Sequence, residues 1–127
     1  MPTNSAFKKL FYNLDAVDEV LDFTQAELDE LVLVHIHRDS ISKANLKNRC
    51  QDPLYMENGD NTRTVCENSA EKIYQKGPKN TSDDLPQVIS FDIEACNGII
   101  HVVNRVILPR YARYYEMFRR QDCLFFD

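Results

Sequence analysis

Apolar residues recur at helical spacing in two stretches near the N-terminus. Over residues 3–14 they fall on one face of a helix, for which Thr3 or Asn4 supplies the cap. The second stretch begins with Thr24-Gln-Ala-Glu27, the pattern of a capping box. Its apolar face continues through Leu28, Leu31, Val32 and His35. Two amphipathic helices are therefore predicted, and the branched residues around His35 predict a helix-to-strand junction there.

Alternating residues predict a hairpin in the second half of the chain. Residues 87–95 alternate between apolar and polar, and residues 99–108 return after a turn at Asn97-Gly98, a pair suited to positive φ. Both faces of the return strand are largely apolar. This pattern predicts a central strand that is covered on both sides and ended by Pro109.

Shorter elements are predicted in the middle of the chain, between turn-forming residues. Ser42 should cap one short helical turn that ends at Leu46. Residues 48–87 are rich in turn signals such as NGDN and NTSDDLP. Within them, two short strands at 63–67 and 71–75 are predicted to pair with each other.

Composition places the chain among one-domain globular proteins. With 127 residues, 43% hydrophobic and 28% charged, it is long enough for one hydrophobic core. No apolar run approaches the roughly 20 residues that a membrane helix needs, and residues 1–9 lack the apolar centre of a secretion signal. The formal net charge is −5, with acidic residues concentrated in residues 1–32. An acidic chain disfavours nucleic acid as a partner.

The four cysteines, Cys50, Cys66, Cys96 and Cys123, contain no CxxC pair. Cys50 and Cys66 bracket a polar stretch and are predicted to close it with a disulfide. Such a bridge stabilises by about 3 kcal/mol, mainly by restricting the unfolded chain. The alternative is four reduced thiols, and the pairing of Cys96 and Cys123 stays open.

The three histidines raise the question of a metal site. His101 lies among Ile and Val residues in the predicted return strand, where a hydrogen-bonded structural role is expected because an unpartnered buried imidazole is costly. His35 and His37 form an HxH pair that, with His101, could make a zinc or iron site. Nucleophile signatures, phosphate loops and paired carboxylates are missing from the sequence, so no catalytic residue and no enzyme activity is predicted.

Two segments resemble the fasciclin domain family of extracellular adhesion modules. The first is NGIIHVVNRVILP, residues 97–109, preceded by Phe91-Asp92-Ile93. It is similar to the family's Asn-Gly-x-Ile-His-Val-Ile-Asp-x-Val-Leu-x-Pro segment. The second is PTNSAF, residues 2–7, which resembles the end of the family's Phe-Ala-Pro-Thr-Asn-x-Ala-Phe block. The resemblance runs over residues 2–109.

The resemblance implies an α+β fold in which helices pack on a wedge of two small β-sheets. It implies that residues 1–109 form a fasciclin-like domain without the opening helices and first strand of the family. Residues 110–127 would then be a C-terminal helical or partly ordered tail. Two positions depart from the family: Asn104 stands where Asp is usual, and Val34-His35 replaces a Tyr-His pair.

The function implied by the resemblance is adhesion or matrix interaction outside the cell or at its surface, without a cofactor. The partner would be a cell-surface receptor or matrix component, protein or glycan, and self-association through the incomplete N-terminal side is also expected. Asp92, Ile93 and His35 are the expected partner-binding residues. Structural roles are expected for His101, Asn97, Gly98 and Pro109. The alternative function is a small metal-binding protein that uses His35, His37 and His101.

Overall fold

The predicted caps begin the helices. A computed structural model describes residues 1–13, 23–68 and 71–110. Helix α1 (Asn4–Asn13) starts where the Ala6 amide donates to the Thr3 hydroxyl over 3.1 Å. Helix α2 (Gln25–Leu33) has both bonds of the Thr24–Glu27 capping box, and helix α3 (Lys43–Lys47) is capped by Ser42. These caps satisfy amide donors that a helix N-terminus leaves free.

Five strands form two small antiparallel sheets. Strands β1 (Pro53–Tyr55), β2 (Asn61–Glu67) and β3 (Lys72–Lys76) make one sheet in that order. Strands β4 (Val88–Ala95) and β5 (Gly98–Val103) make the other. The short pair predicted in the middle of the chain is thus confirmed as β2 and β3. Together with the helices, the two sheets give the predicted α+β architecture.

The core lies in two clusters that fill the space between these elements. The first joins α1 and α2 to the C-terminal segment through Ala6, Phe23, Leu31, Val106 and Leu108. The second joins α3 to both sheets through Leu46, Leu54, Met56, Ile73, Val88 and Val103. Residues of both sheets meet in one cluster, so the second cluster is the inside of the wedge.

The prediction of a central strand through residue 108 is wrong. Strand β5 ends at Val103, and along its length it pairs with β4, with one bridge from Pro2 to Val103 among the described residues. Beyond Val103 the backbone bonds to loops: the Asn104 amide donates to the Gln87 carbonyl over 3.0 Å. The apolar residues 106–109 are buried by these loop contacts rather than by a ladder.

Two local predictions also need correction. The hairpin turn consists of Cys96-Asn97, with Ala95 opposite Gly98, and neither Asn97 nor Gly98 has the positive φ that their pairing suggests. After α2 the chain makes a turn and then one isolated bridge, His37 to Met56, instead of a strand. The His35 and Ile36 amides donate to the Val32 and Leu33 carbonyls, so this segment continues the end of α2 as a turn.

A disulfide joins Cys50 to Cys66, whose Cα atoms are 5.6 Å apart. It ties the segment after α3 to strand β2. Cys96 is a free, exposed thiol in the hairpin turn, and Cys123 lies outside the described residues. In the described part of the chain, no helix is long and apolar enough to cross a membrane.

Candidate functional site

The edge strand β4 carries two register shifts, and Asp92 lies in the second of them. Ser90 pairs with Val102 and Ile93 with Ile100, so β4 has one residue more than β5 over this interval. Asp92 lies in this bulge with φ of 56°, in the left-handed region. Asp is one of the few non-glycine residues that adopt this region readily. The bulge breaks the ladder and turns residues 91–93 away from regular pairing.

His101 supplies a hydrogen-bond acceptor for the Asp92 amide in the bulge. The Asp92 amide donates to Nδ1 of His101 over 3.2 Å, and Nε2 donates to the Ile41 carbonyl over 2.6 Å. The ring therefore carries its proton on Nε2. His101 thus connects β4, β5 and the loop before α3, and both of its ring nitrogens are used inside the fold.

The Asp92 carboxylate is fixed by the start of α3. Its Oδ1 accepts from the Lys43 amide over 2.8 Å, the first amide of that helix. A carboxylate at this position satisfies a free helix donor and is favoured by the helix dipole. No hydrogen bond is formed by Oδ2 within the described residues, and the side chain is exposed. One oxygen of a well-positioned carboxylate therefore faces solvent.

Aromatic contacts support the same corner. The Phe91 ring meets the His101 ring edge-on, with centroids 5.7 Å apart. The Lys43 ammonium lies 4.6 Å from the Phe91 centroid, within the range of a cation–π contact. Lys43 thus holds the bulge through both its backbone and its side chain.

Exposed isoleucines flank the acidic residue. Ile93 is 41% exposed and Ile89 is 52% exposed, and both belong to β4. We name Ile89, Asp92 and Ile93 the Asp92 surface. It combines one fixed carboxylate with two accessible branched side chains on an edge strand. Of the residues expected to bind a partner, Asp92 and Ile93 lie together here.

His35 is placed elsewhere and is turned inward. Its Nδ1 donates to the Leu31 carbonyl over 2.7 Å, and its Nε2 accepts from the Ile107 amide over 3.0 Å. Burial lowers the pKa of His35 to about 4; the bond to Leu31 opposes this shift, and the nearby Met1 ammonium adds to it. Through Nε2 the ring links the end of α2 to the C-terminal segment, and both ring nitrogens are used inside the fold, so we leave His35 out of the proposed binding surface.

The histidines do not converge on a metal site. His37 bonds the Tyr55 carbonyl through Nδ1 over 2.8 Å, while His35 and His101 each use both nitrogens on backbone groups. Across residues 1–13, 23–68 and 71–110, no group of three or more His, Cys, Asp or Glu side chains could hold a metal ion. This geometry does not favour the metal-binding alternative.

Asn80 is a structural anchor that the sequence pattern does not reveal. Its Oδ1 accepts from the Gly77 and Leu108 amides over 2.9 and 3.0 Å, and its Nδ2 donates to the Val106 carbonyl over 3.1 Å. All three bonds are buried. At Gly77 an added Cβ would lie 2.6 Å from both the Ile107 side chain and the Leu108 carbonyl. The KGPKN turn is the one sequence signal of this anchor.

Asn104, the departure from the family pattern, keeps a contact that aspartate would also make. Its Oδ1 accepts from the Gln87 amide over 2.9 Å. An amide and a carboxylate oxygen both accept such a bond. Pro109 follows in a fully buried position, while Asn97 is exposed in the turn and Gly98 begins β5.

Comparison with known proteins identifies the family. The family model of the fasciclin domain matches residues 1–109. Among solved structures, a FAS1 domain pair from the insect cell adhesion molecule fasciclin I is similar, with a TM-score of 0.58 and 16% identity. The match covers 84% of this chain and 34% of that one, so the chain spans about a third of its length. The curated proteins give no match. With the fold, the hairpin signature and the family model in agreement, the chain belongs to the fasciclin domain family.

Proposed function

We propose that the chain is an extracellular adhesion or matrix-interaction module that binds a protein partner through the Asp92 surface. The observation that carries this proposal is the fixed Asp92 carboxylate, with one oxygen bonded to the Lys43 amide and the other facing solvent. Fasciclin domains are adhesion modules, and the family occurs in extracellular or cell-surface proteins.

Pre-organisation makes this carboxylate a suitable contact. The Asp92 amide donates to His101 and the Asp92 carboxylate accepts from the Lys43 amide, so the residue is held before a partner arrives and little conformational entropy is lost on binding. A free carboxylate oxygen is also a good ligand for a hard divalent cation carried by a receptor. The accessible Ile89 and Ile93 side chains add apolar area beside it.

The charge of the surface favours a protein over an acidic glycan. Glu94 follows directly after Ile93 on β4 and is exposed, and the whole chain has a net charge of −5. Sulfated or carboxylated glycans would be repelled by such a surface. A cell-surface receptor or a matrix protein fits better, and the Cys50–Cys66 disulfide suits the oxidising setting in which such partners occur.

Asp92→Asn tests the proposal with little disturbance of the fold. Asparagine tolerates positive φ and retains an oxygen for the Lys43 amide, but it removes the negative charge. Cells should attach to surfaces coated with the wild-type chain in the presence of divalent cations. On the Asp92→Asn chain we expect attachment to fall about tenfold or more, because the charged contact is lost. Counting attached cells on equal coating densities gives the measurement.

Tyr55→Ser is the matched control, because Tyr55 is also exposed but belongs to β1 in the other sheet. This variant should support attachment like the wild type, and Ile93→Ser should weaken attachment less than Asp92→Asn. Equal attachment to the wild-type and Asp92→Asn chains, with the fold intact by circular dichroism, would remove Asp92 from the proposed surface.

A further inference from the structure

An open pocket of about 770 Å³ lies beside the three-stranded sheet and the turn that follows β3. Among the described residues no acidic side chain lines it, whereas four basic residues do: Arg63, Lys76, Lys79 and Arg110. The chain as a whole has a formal net charge of −5, so this local excess of positive charge runs against the composition. A cleft lined by one sign of charge concentrates ligands of the opposite sign.

Two of these basic residues face each other across neighbouring strands. Arg63 of β2 and Lys76 of β3 are partners in the ladder, so their side chains point to the same face of the sheet, and both are exposed. Like charges directly opposite each other destabilise a sheet. At the other end of the same ladder, Glu67 stands opposite Lys72, a pair of unlike charges. The Arg63–Lys76 pair therefore carries an electrostatic cost that a bound anion relieves.

Backbone contacts bring the other two basic residues to the same pocket. The Lys79 amide donates to the Leu108 carbonyl over 3.2 Å, and the Arg110 amide donates to Oδ2 of Asp60 over 2.9 Å. The Asp60 side chain does not line the pocket, and its Oδ2 also accepts from Nδ2 of Asn58 over 2.9 Å. Three separate parts of the chain thus bring cations to one site.

Neutral hydrogen-bond donors complete the pocket. The side chains of Gln51 and Asn61 line it, and their amide groups can donate to the oxygens of an anion. Gln51 follows Cys50, whose disulfide to Cys66 ties this segment to β2, and the Gln51 amide donates to the Thr64 carbonyl over 2.6 Å. This wall is therefore held in place before a ligand binds, which lowers the entropy lost on binding.

The residues of the pocket favour a sulfated chain over other polyanions. No aromatic residue is among the described residues that line it, so the bases of a nucleic acid would have no ring to stack on. A membrane surface requires an apolar face beside the basic residues, whereas the apolar side chains described here are only Pro53, Val65 and Pro78. Sulfate groups recur along a glycan chain, and arginine binds such oxyanions through two parallel hydrogen bonds.

We propose that this pocket binds a sulfated glycan of the cell surface or matrix, with its sulfate groups between Arg63, Lys76 and Arg110. The Asp92 surface shares no residue with the pocket, and its negative charge would repel the same glycan, so the two sites take different partners. Exposed charges more than about 8 Å away are largely screened at physiological salt, so the net charge of the chain acts weakly at the pocket. The inference uses the extracellular setting of the proposed function but not the Asp92 contact.

Titration calorimetry of the full chain with heparin, a highly sulfated glycan, measures this binding. Lys76→Gln should weaken heparin binding about fivefold at physiological salt, because one charge-assisted contact is lost. It should also lower the slope of log Kd against log salt by about one, since fewer counterions are released. The matched control is Lys72→Gln, which removes the same charge from the same face of β3 but outside the pocket. That variant should bind heparin like the wild type.

A second variant approaches the site from β2. Arg63→Gln should weaken heparin binding at least as much as Lys76→Gln does, and unfolding midpoints without heparin check that both exposed substitutions leave the fold intact. Wild-type affinity in both variants would overturn the proposal. An equal loss of affinity in Lys72→Gln would overturn it as well, because the effect would then depend on net charge alone. A wild-type chain that does not bind heparin would also contradict the proposal.

Two further probes distinguish the class of ligand. Desulfated heparin, which keeps its carboxylates, and duplex DNA should each bind about tenfold more weakly than heparin, or weaker still. Desulfated heparin or DNA binding as tightly as heparin would overturn the assignment to a sulfated glycan. Asp92→Asn should bind heparin like the wild type. Cell attachment and heparin binding therefore report on separate sites, and either one can fail alone.

Discussion

Asn80→Ala should lower the thermal unfolding midpoint by about 15 °C, an effect comparable to the loss of several kcal/mol in a domain of this size. The alanine removes an acceptor from the Gly77 and Leu108 amides and a donor from the Val106 carbonyl. All three groups are buried, and each one left unpaired costs about 1–3 kcal/mol. The sum is a large part of the 5–15 kcal/mol that stabilises a typical domain.

Asn97→Ala is the matched control for this variant. Asn97 is exposed in the β4–β5 turn and has no positive φ, so alanine fits its backbone conformation. Its unfolding midpoint should stay within a few degrees of the wild type, since exposed substitutions usually change stability by less than about 0.5 kcal/mol. Differential scanning calorimetry of the three chains gives the midpoints. An Asn80→Ala chain that unfolds at the wild-type midpoint would contradict the role assigned to this anchor.

The free energy of unfolding should fall as the pH drops from about 6.5 to 4, owing to His35. In the folded chain the pKa of His35 is lowered to about 4, whereas an unfolded histidine has its ordinary pKa of 6.5. The unfolded state therefore binds a proton first as the pH falls. The contribution of His35 to the free energy of unfolding is fully present above its unfolded pKa of 6.5, and it is lost as the pH falls through its folded pKa of about 4. The loss is about 3 kcal/mol over the whole interval.

Urea unfolding at pH 6.5 and pH 5.0 isolates this contribution, because most carboxylates remain ionised in that interval. We expect a decrease of about 2 kcal/mol for the wild type. His35→Gln should be less stable at pH 6.5 and should lose most of this pH dependence. His37→Gln serves as the control and should retain it, because His37 makes one bond at the surface. Identical pH dependence in the wild type and His35→Gln would show that His35 does not cause it.

Local elements could be predicted from the sequence because their causes are local. At each of the caps Thr3, Thr24 and Ser42, the side-chain oxygen accepts a hydrogen bond from the amide of the residue three positions later. The pairing of β2 with β3 likewise depends on two short alternating runs that a tight turn brings together. In each case the residues that interact are close in sequence, so the pattern contains the necessary information.

The end of β5 could not be predicted in this way. Residues 104–108 continue the apolar character of the strand, and the periodicity gives no reason to stop at Val103. What ends the ladder is competition from other partners: Gln87 bonds Asn104, and Asn80 bonds the backbone at Val106 and Leu108. The side chain of Asn80 reaches groups 26 and 28 residues away. Sequence spacing does not encode such contacts.

The same limit applies to the Asp92 surface. The residue itself could be singled out from its place in the family resemblance, but not the contacts that position its carboxylate. Oδ1 of Asp92 accepts from an amide 49 residues away in the sequence. His101, which accepts from the Asp92 amide, donates to a carbonyl 60 residues away from itself. The alternating pattern also placed Asp92 in a regular strand, whereas it lies in a bulge at positive φ. The role of Lys43 as a partner of both Asp92 and Phe91 is likewise visible only in the folded chain.

The proposed adhesion function depends on an extracellular setting, and the state of Cys50 and Cys66 in the protein from its natural source tests that setting most directly. The isolated protein is alkylated without reduction, digested and analysed by mass spectrometry. We predict that Cys50 and Cys66 escape alkylation and appear in one disulfide-linked peptide pair, as their contact in the fold requires. Complete alkylation of both residues would place the chain in a reducing compartment and contradict the proposed function.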